Sequence, residues 1–226
     1  MLNVIKNLPR LKGLCYNPRA MAVSFQSKIR NWQRVVQDAA VRSYPQHKLE
    51  ARAEYFTSLF SNHLTPASRV LDIGGGWGFY AAPLEKRGHD LTVLDVIKPG
   101  FQRAPVIIYD GGKMPFEDKS FDASILVTML HHTPDPASIL KEAVRVTRGK
   151  IVVIEDVYNH ALGKFWTILR DQFYNVEYFG HPCQFKKSSE WIELFNSLGL
   201  KLVEEKQVYT SLSGLSILNA VFVLDV

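Results

Sequence analysis

The sequence predicts an α/β fold with a doubly wound, mostly parallel seven-stranded sheet. Three observations predict it. From Arg69 onward, short apolar runs alternate with segments of helical periodicity, the pattern of successive βαβ units. The first apolar run, Val70 to Ile73, carries an acid and stops in three glycines, Gly74-Gly75-Gly76, as strands do where they turn into a ligand loop. The last two apolar runs follow a helix and are joined only by Ser211-Leu212-Ser213-Gly214, a turn-rich link that gives the sheet an antiparallel last strand.

The elements follow in order. Residues 1–65 form an N-terminal arm, mostly helical over 21–63 and broken near Tyr44-Pro45. Trp32, Val35, Val36, Ala39 and Ala40 recur at helical spacing, as do Leu49, Ala53, Phe56 and Phe60. Residues 66–226 form the α/β domain. Strand one spans 69–73. A helix over 78–87 ends at Gly88. Strands two, three and four span 91–96, 106–109 and 123–127. Only about ten residues, with Pro99-Gly100 among them, separate Asp95 from strand three, so no crossover helix fits there. Asp135-Pro136 starts a helix to Thr147, with the acid as N-cap and proline at the first position. Strand five spans 151–155, and residues 157–187 are an insertion. A helix then runs from Ser188/Ser189 to Gly199, and the closing strands span 201–210 and 216–224.

Composition narrows the class. The chain has 226 residues, of which 46% are hydrophobic and 22% charged, as in ordinary globular proteins. No apolar run reaches the ~18 residues of a membrane span, and the first residues lack the apolar core of a signal peptide. Two distant cysteines, Cys15 and Cys183, are no disulfide framework, so a cytoplasmic location is expected. The charge is uneven: residues 1–49 hold nine Lys and Arg against a single acid, Asp38. Such an arm suits an anionic substrate, an anionic membrane surface contacted peripherally, or nucleic acid.

The glycine loop carries the chemistry. Asp72 places a carboxylate where a pyrophosphate would be repelled and a cation welcomed. A dinucleotide fingerprint would need a small residue at position 79, and Phe79 is too bulky for that helix–strand packing. A nicotinamide oxidoreductase is therefore the weaker alternative. The run Asp72-x-Gly74-x-Gly76-x-Gly78 instead resembles motif I of the class I S-adenosylmethionine-dependent methyltransferases. Asp95 after strand two, the Asp110-to-Phe116 segment with Met114-Pro115-Phe116, Ser120-Phe121-Asp122, and Leu130-His131-His132 after strand four extend the resemblance over about residues 69–156. The resemblance implies a Rossmann-like fold and S-adenosylmethionine as cofactor, with S-adenosylhomocysteine as product. It implies that Gly74, Gly76 and Gly78 with Asp72 hold the methionine end. Asp95 and Val96 would meet the ribose, and Asp110 and Met114 the adenine.

His131 and His132 stand at the carboxyl edge of the sheet, where ligands of open α/β sheets bind. An imidazole's ordinary pKa near ~6.5 suits a general base for an oxygen acceptor, with His132 preferred over His131 and Tyr174 in reserve. The insertion 157–187 carries eight aromatics, a density that predicts a wall for an apolar or planar acceptor, with Tyr158, Trp166, Tyr174, Tyr178 and His181 as substrate contacts. The expected acceptor is a small or lipid-like molecule. Pro182-Cys183 lies too late in the chain for a cytosine methyltransferase nucleophile, and strand four lacks an adenine-amino methyltransferase signature, so nucleic acid is not the expected substrate. No histidine spacing compels a metal. A cofactor-binding scaffold without turnover is the remaining alternative.

Overall fold

The computed structural model describes residues 32, 33, 35–175, 184–212 and 214–226. Seven strands form one sheet: β1 (Arg69–Ile73), β2 (Asp90–Asp95), β3 (Val106–Ile108), β4 (Phe121–Val127), β5 (Thr147–Asp156), β6 (Lys201–Leu212) and β7 (Leu215–Asp225). Their order is β3-β2-β1-β4-β5-β7-β6. The first five pair in parallel, and β7 inserts antiparallel between β5 and β6. The doubly wound sheet with an antiparallel end is therefore the fold observed. Order reverses beside β1, so the carboxyl ends of β1 and β4 flank the crevice where such sheets bind ligands.

Helices cover both faces: α1 (Gln46–Phe60), α2 (Ala81–Glu85), α3 (Pro136–Val146), α4 (Ala161–Asn175) and α5 (Ser188–Ser197). On one face, Phe56 and Phe60 of α1 and Leu84 of α2 pack against Val70, Ile125, Val152 and Val223. On the other, Leu140 and Ala143 of α3 and Trp191 and Phe195 of α5 pack against Leu71, Leu126, Val153 and Phe222. Burying each large side chain contributes about 1.5–3 kcal/mol. The central strands β1, β4, β5 and β7 are mostly buried along their length for this reason. α3 is capped as expected, with Asp135 accepting from the backbone N–H of Ser138 at 3.2 Å.

Some local expectations shift. The helix expected over 78–87 is shortened to Ala81–Glu85, because Gly76 and Gly78 hold positive φ and spend residues 76–80 on turns. β5 begins four residues early, since Thr147 and Lys150 extend its pairing with β4. The insertion contains the 15-residue helix α4. Residues 96–105 contain no helix, as the short spacing required. In the arm, residues 35–43 are helical and break at Tyr44-Pro45. Residues 1–31 lie outside the described residues.

Candidate active site

β1 delivers Asp72 to the sheet edge and then turns. Gly74, Gly76 and Gly78 have φ of 70°, 53° and 76°, the left-handed region that side chains disfavour. A Cβ at Gly74 would come within 2.8 Å of Met129, so the loop is closed on the β4 side. A Cβ on Gly75 would overlap the Asp72 carboxylate, which lies directly beneath the loop. Above Gly76, among the described residues, the nearest atom to a Cβ there would be an Asp95 carboxylate oxygen at 4.0 Å. This is a cradle floored by glycine backbone and edged by a carboxylate.

The two carboxylates behave differently. Asp95, at the end of β2, accepts from the backbone N–H of Gly76 and of Ile97, each at 2.9 Å. It ties the loop to the second strand. Asp72 is 1% exposed, and its Oδ2 makes no hydrogen bond. Burial, and then Asp95, push its carboxyl up to about 8. An orphaned buried carboxyl beneath an open cradle fits a cationic ligand, which would supply the missing partner. Asp110 is exposed and accepts from Gly112 N–H at 2.9 Å in a local turn. Val96 is half exposed beside Gly111. Met114 departs from expectation: it is 1% exposed and packed in the core, with no open face.

The second half of the site follows β4. Thr128 has φ of 48°, a strained conformation for a β-branched residue, and it turns the chain sharply back over the sheet edge. The next residues form a tight turn, Leu130–His132. Glu155, buried at the end of β5, accepts from Leu130 N–H at 2.7 Å and bonds His131 Nδ1. On the other side His131 Nε2 lies 3.5 Å from Asp171 of α4, and its ring stacks on Phe185 with centroids 4.3 Å apart. His132 Nε2 lies 3.9 Å from the same Asp171 oxygen, and His132 is more open than His131. Burial pushes the His131 pKa down, but Glu155 and Asp171 outweigh it and hold the group well above its ordinary value. The protonated form of His131 is therefore favoured between the two acids, which weakens it as a proton acceptor, and His132 stays the preferred candidate base.

His131, His132 and Asp171 each offer a ligand atom within 4.8 Å of the others. Sequence spacing could not show this, because Asp171 arrives from the insertion. Glu155 and Asp171 flank His131 from opposite sides, two carboxylates around one imidazole. Glu155, Asp171 and Asp156, the last of which accepts from Arg170 at 2.5 Å and Asn219 at 2.6 Å, are the functional-region residues that sequence reasoning missed. The lone buried acid in an aromatic-rich helix was the available signal. Of the expected substrate contacts, Tyr158 is buried with its hydroxyl 3.5 Å from Glu190, a core position and no pocket wall, and Trp166 faces outward. Tyr178, His181 and the side chain of Tyr174 lie outside the described residues.

The arm meets the cradle directly. Asp38 accepts from Trp77 Nε1 at 2.9 Å and from Gly100 N–H at 2.8 Å, and Arg42 donates to Gly100 O at 3.1 Å. The described arm residues therefore clamp the glycine loop and the loop after β2. Asp38→Ala is expected to weaken binding of S-adenosylhomocysteine about five- to thirtyfold, equivalent to ~1–2 kcal/mol, by loosening both loops. Calorimetry showing unchanged affinity would disprove a coupling between arm and cradle.

Comparisons with known proteins agree with this geometry. A methyltransferase-domain family model matches residues 71–154. A demethylmenaquinone methyltransferase of Renibacterium salmoninarum is 36% identical over 113 residues, covering 46% of this chain and 47% of that protein. An uncharacterized protein of Methanocaldococcus jannaschii is 31% identical over 146 residues, covering 63% of this chain and 69% of its own. The chain spans about half the length of the first curated relatives it matches. In fold, it resembles the Burkholderia thailandensis 1,6-didemethyltoxoflavin-N1-methyltransferase, solved with 1,6-didemethyltoxoflavin and S-adenosylhomocysteine, with a TM-score of 0.62 at 17% identity, covering 95% of this chain and 92% of that one. A glycine loop over an orphaned acid, the sheet order and these matches converge: the chain belongs to the class I S-adenosylmethionine-dependent methyltransferase family.

Proposed function

We propose that this chain transfers a methyl group from S-adenosylmethionine to a small ring-bearing acceptor, with His132 as the general base. The observation that carries the reading is adjacency. The glycine cradle touches Met129, and His132 follows three residues later on the same turn. Gly74, Gly76 and Gly78 would hold the methionine end over Asp72. Asp95 would exchange its bond to the loop for the ribose hydroxyls, and Asp110 would face the adenine edge. The cofactor supplies an activated methyl group when bound. The protein must orient the acceptor in line with it and exclude water. Glu155 and Asp171 fix His131, and His131 with Asp171 in turn fixes His132 at the sheet edge, where it can take the acceptor's proton. The ring-bearing class is supported by the Renibacterium relative and the fold neighbour named above, which act on demethylmenaquinone and a didemethyltoxoflavin by name.

Calorimetry should show binding of S-adenosylmethionine and S-adenosylhomocysteine and none of NAD. Radiolabel from the cofactor methyl group should then appear on reduced demethylmenaquinone or on a ring-bearing component of a metabolite extract. Cofactor binding without label transfer to any component would leave the scaffold reading in place and refute this one.

A further inference from the structure

Helix α4 has two faces of opposite character. Its inner face is fastened to the site: Asp171 lies against His131 and His132, Arg170 donates to Asp156, and Thr167 is buried. Its outer face carries Leu162, Phe165, Trp166, Leu169 and Phe173, spaced at i, i+3, i+4, i+7 and i+11 and 44–71% exposed. That is one continuous stripe along three turns. A helix of a water-soluble surface carries charges there. Here the only other exposed side chains of residues 161–173 are Ala161 and Lys164, and no exposed acid is among them.

We infer that the outer face of α4 is a membrane-docking surface, which seats the mouth of the site on an anionic lipid bilayer. Three observations favour lipid over a protein partner. The stripe combines Trp and Phe with Leu, the mixture that lies at the headgroup–acyl boundary. The absence of exposed acid on the helix removes repulsion from anionic headgroups, and Lys164 adds attraction. Residues 1–49 hold nine basic side chains against one acid, a second anionic-lipid signal carried by the same chain. No helix among the described residues is long and apolar enough to cross a membrane, so the contact is in the plane of the surface. Because α4 is also the element that brings Asp171 to His131, docking would set the site beside the acyl region, from which an apolar acceptor could enter without crossing water. The surface itself does not depend on the proposed methyl transfer.

The test uses the full chain and vesicles of phosphatidylcholine alone or with one-quarter phosphatidylglycerol. Sedimentation should show at least tenfold tighter binding to the anionic vesicles. Acyl-brominated lipid should quench the tryptophan fluorescence, and Trp166→Phe, which keeps an apolar ring, should remove most of that quenching while binding persists. The triple variant Leu162→Gln, Phe165→Gln, Phe173→Gln should lose at least tenfold in vesicle binding with its S-adenosylhomocysteine affinity and circular-dichroism melt unchanged. Failure of the full chain to bind anionic vesicles even at low salt would overturn the inference. So would vesicle binding that the triple variant retains, which would assign the contact to the basic arm. Concentration-dependent dimerisation abolished by the triple variant, without lipid binding, would assign the face to a second copy and equally overturn it. Methyl-transfer failure with intact docking would leave this inference standing and refute only the proposed reaction.

Discussion

Asp72→Asn is expected to stabilise the unliganded protein and, in the same step, to cost at least tenfold in affinity for S-adenosylmethionine. Asp72 is buried under Gly75 with an orphaned oxygen, and its carboxyl is pushed up to about 8. In the unfolded chain it titrates near 3.8. Between those values the unfolded state holds fewer protons than the folded one, so stability falls as pH rises through about 4 to 8 and levels off above. An asparagine has no proton to lose, and its stability should not carry that slope. Urea melts should therefore show the gap between variant and wild type opening from pH 5 to pH 8, by on the order of a few kcal/mol at about 1.4 kcal/mol per unit. A cationic ligand above the loop reverses the balance, because it favours the ionised acid. Cofactor affinity of the wild type should rise with pH toward about 8 and release a proton on binding, and the variant should show neither effect. Equal pH slopes in the two proteins, or equal cofactor affinity, would mean that Asp72 does not sense the ligand.

The legible parts of this molecule are those where one local signal sufficed. A strand ending in an acid and three glycines can hardly be anything but a ligand loop, and its positive φ values follow from the residues that permit them. Asp135-Pro136 announced its helix by capping chemistry alone. The missing helix after Asp95 followed from chain length. Long-range convergence was not legible. Glu155 reads as the last apolar-strand residue to carry a charge, and Asp171 as one acid in an aromatic helix. Only the fold shows that they approach His131 from opposite sides. Aromatic density was misleading for a related reason. A count cannot tell which way side chains face, and α4 turns Phe165 and Trp166 outward while Tyr158 goes into the core. Met114 failed similarly, because a residue adjacent to a site in sequence was placed beneath it.

The sequence ranks His132 above His131 as a candidate base, and the fold separates the two. Glu155 and Asp171 hold His131 as a buried cation, 1% exposed, and Phe185 stacks on its ring. His131→Gln removes the positive charge between two buried acids. Breaking such an arrangement costs about 3–5 kcal/mol, and α4 should loosen with it because Asp171 is its tie to the β4 turn. The raised pKa gives the sign of the pH effect. His131 contributes its full stabilisation below its unfolded value of 6.5, and loses it only as pH rises through its much higher folded value. His132→Gln should do the opposite of His131→Gln. Its side chain is more open and lies 3.9 Å from Asp171, so it is oriented without being enclosed. That variant should keep its melting temperature within a degree or two and its S-adenosylhomocysteine affinity unchanged. Its turnover on an oxygen or nitrogen acceptor should fall by about 10²–10⁴, the usual contribution of a general base. The decisive comparison is the pair of splits: stability lost with His131, kcat lost with His132. If His132→Gln retains full kcat on such an acceptor, the proton leaves by another route and the base assignment fails. If His131→Gln melts like the wild type, then Glu155 and Asp171 do not need the cation, and the charge argument for the turn fails with it.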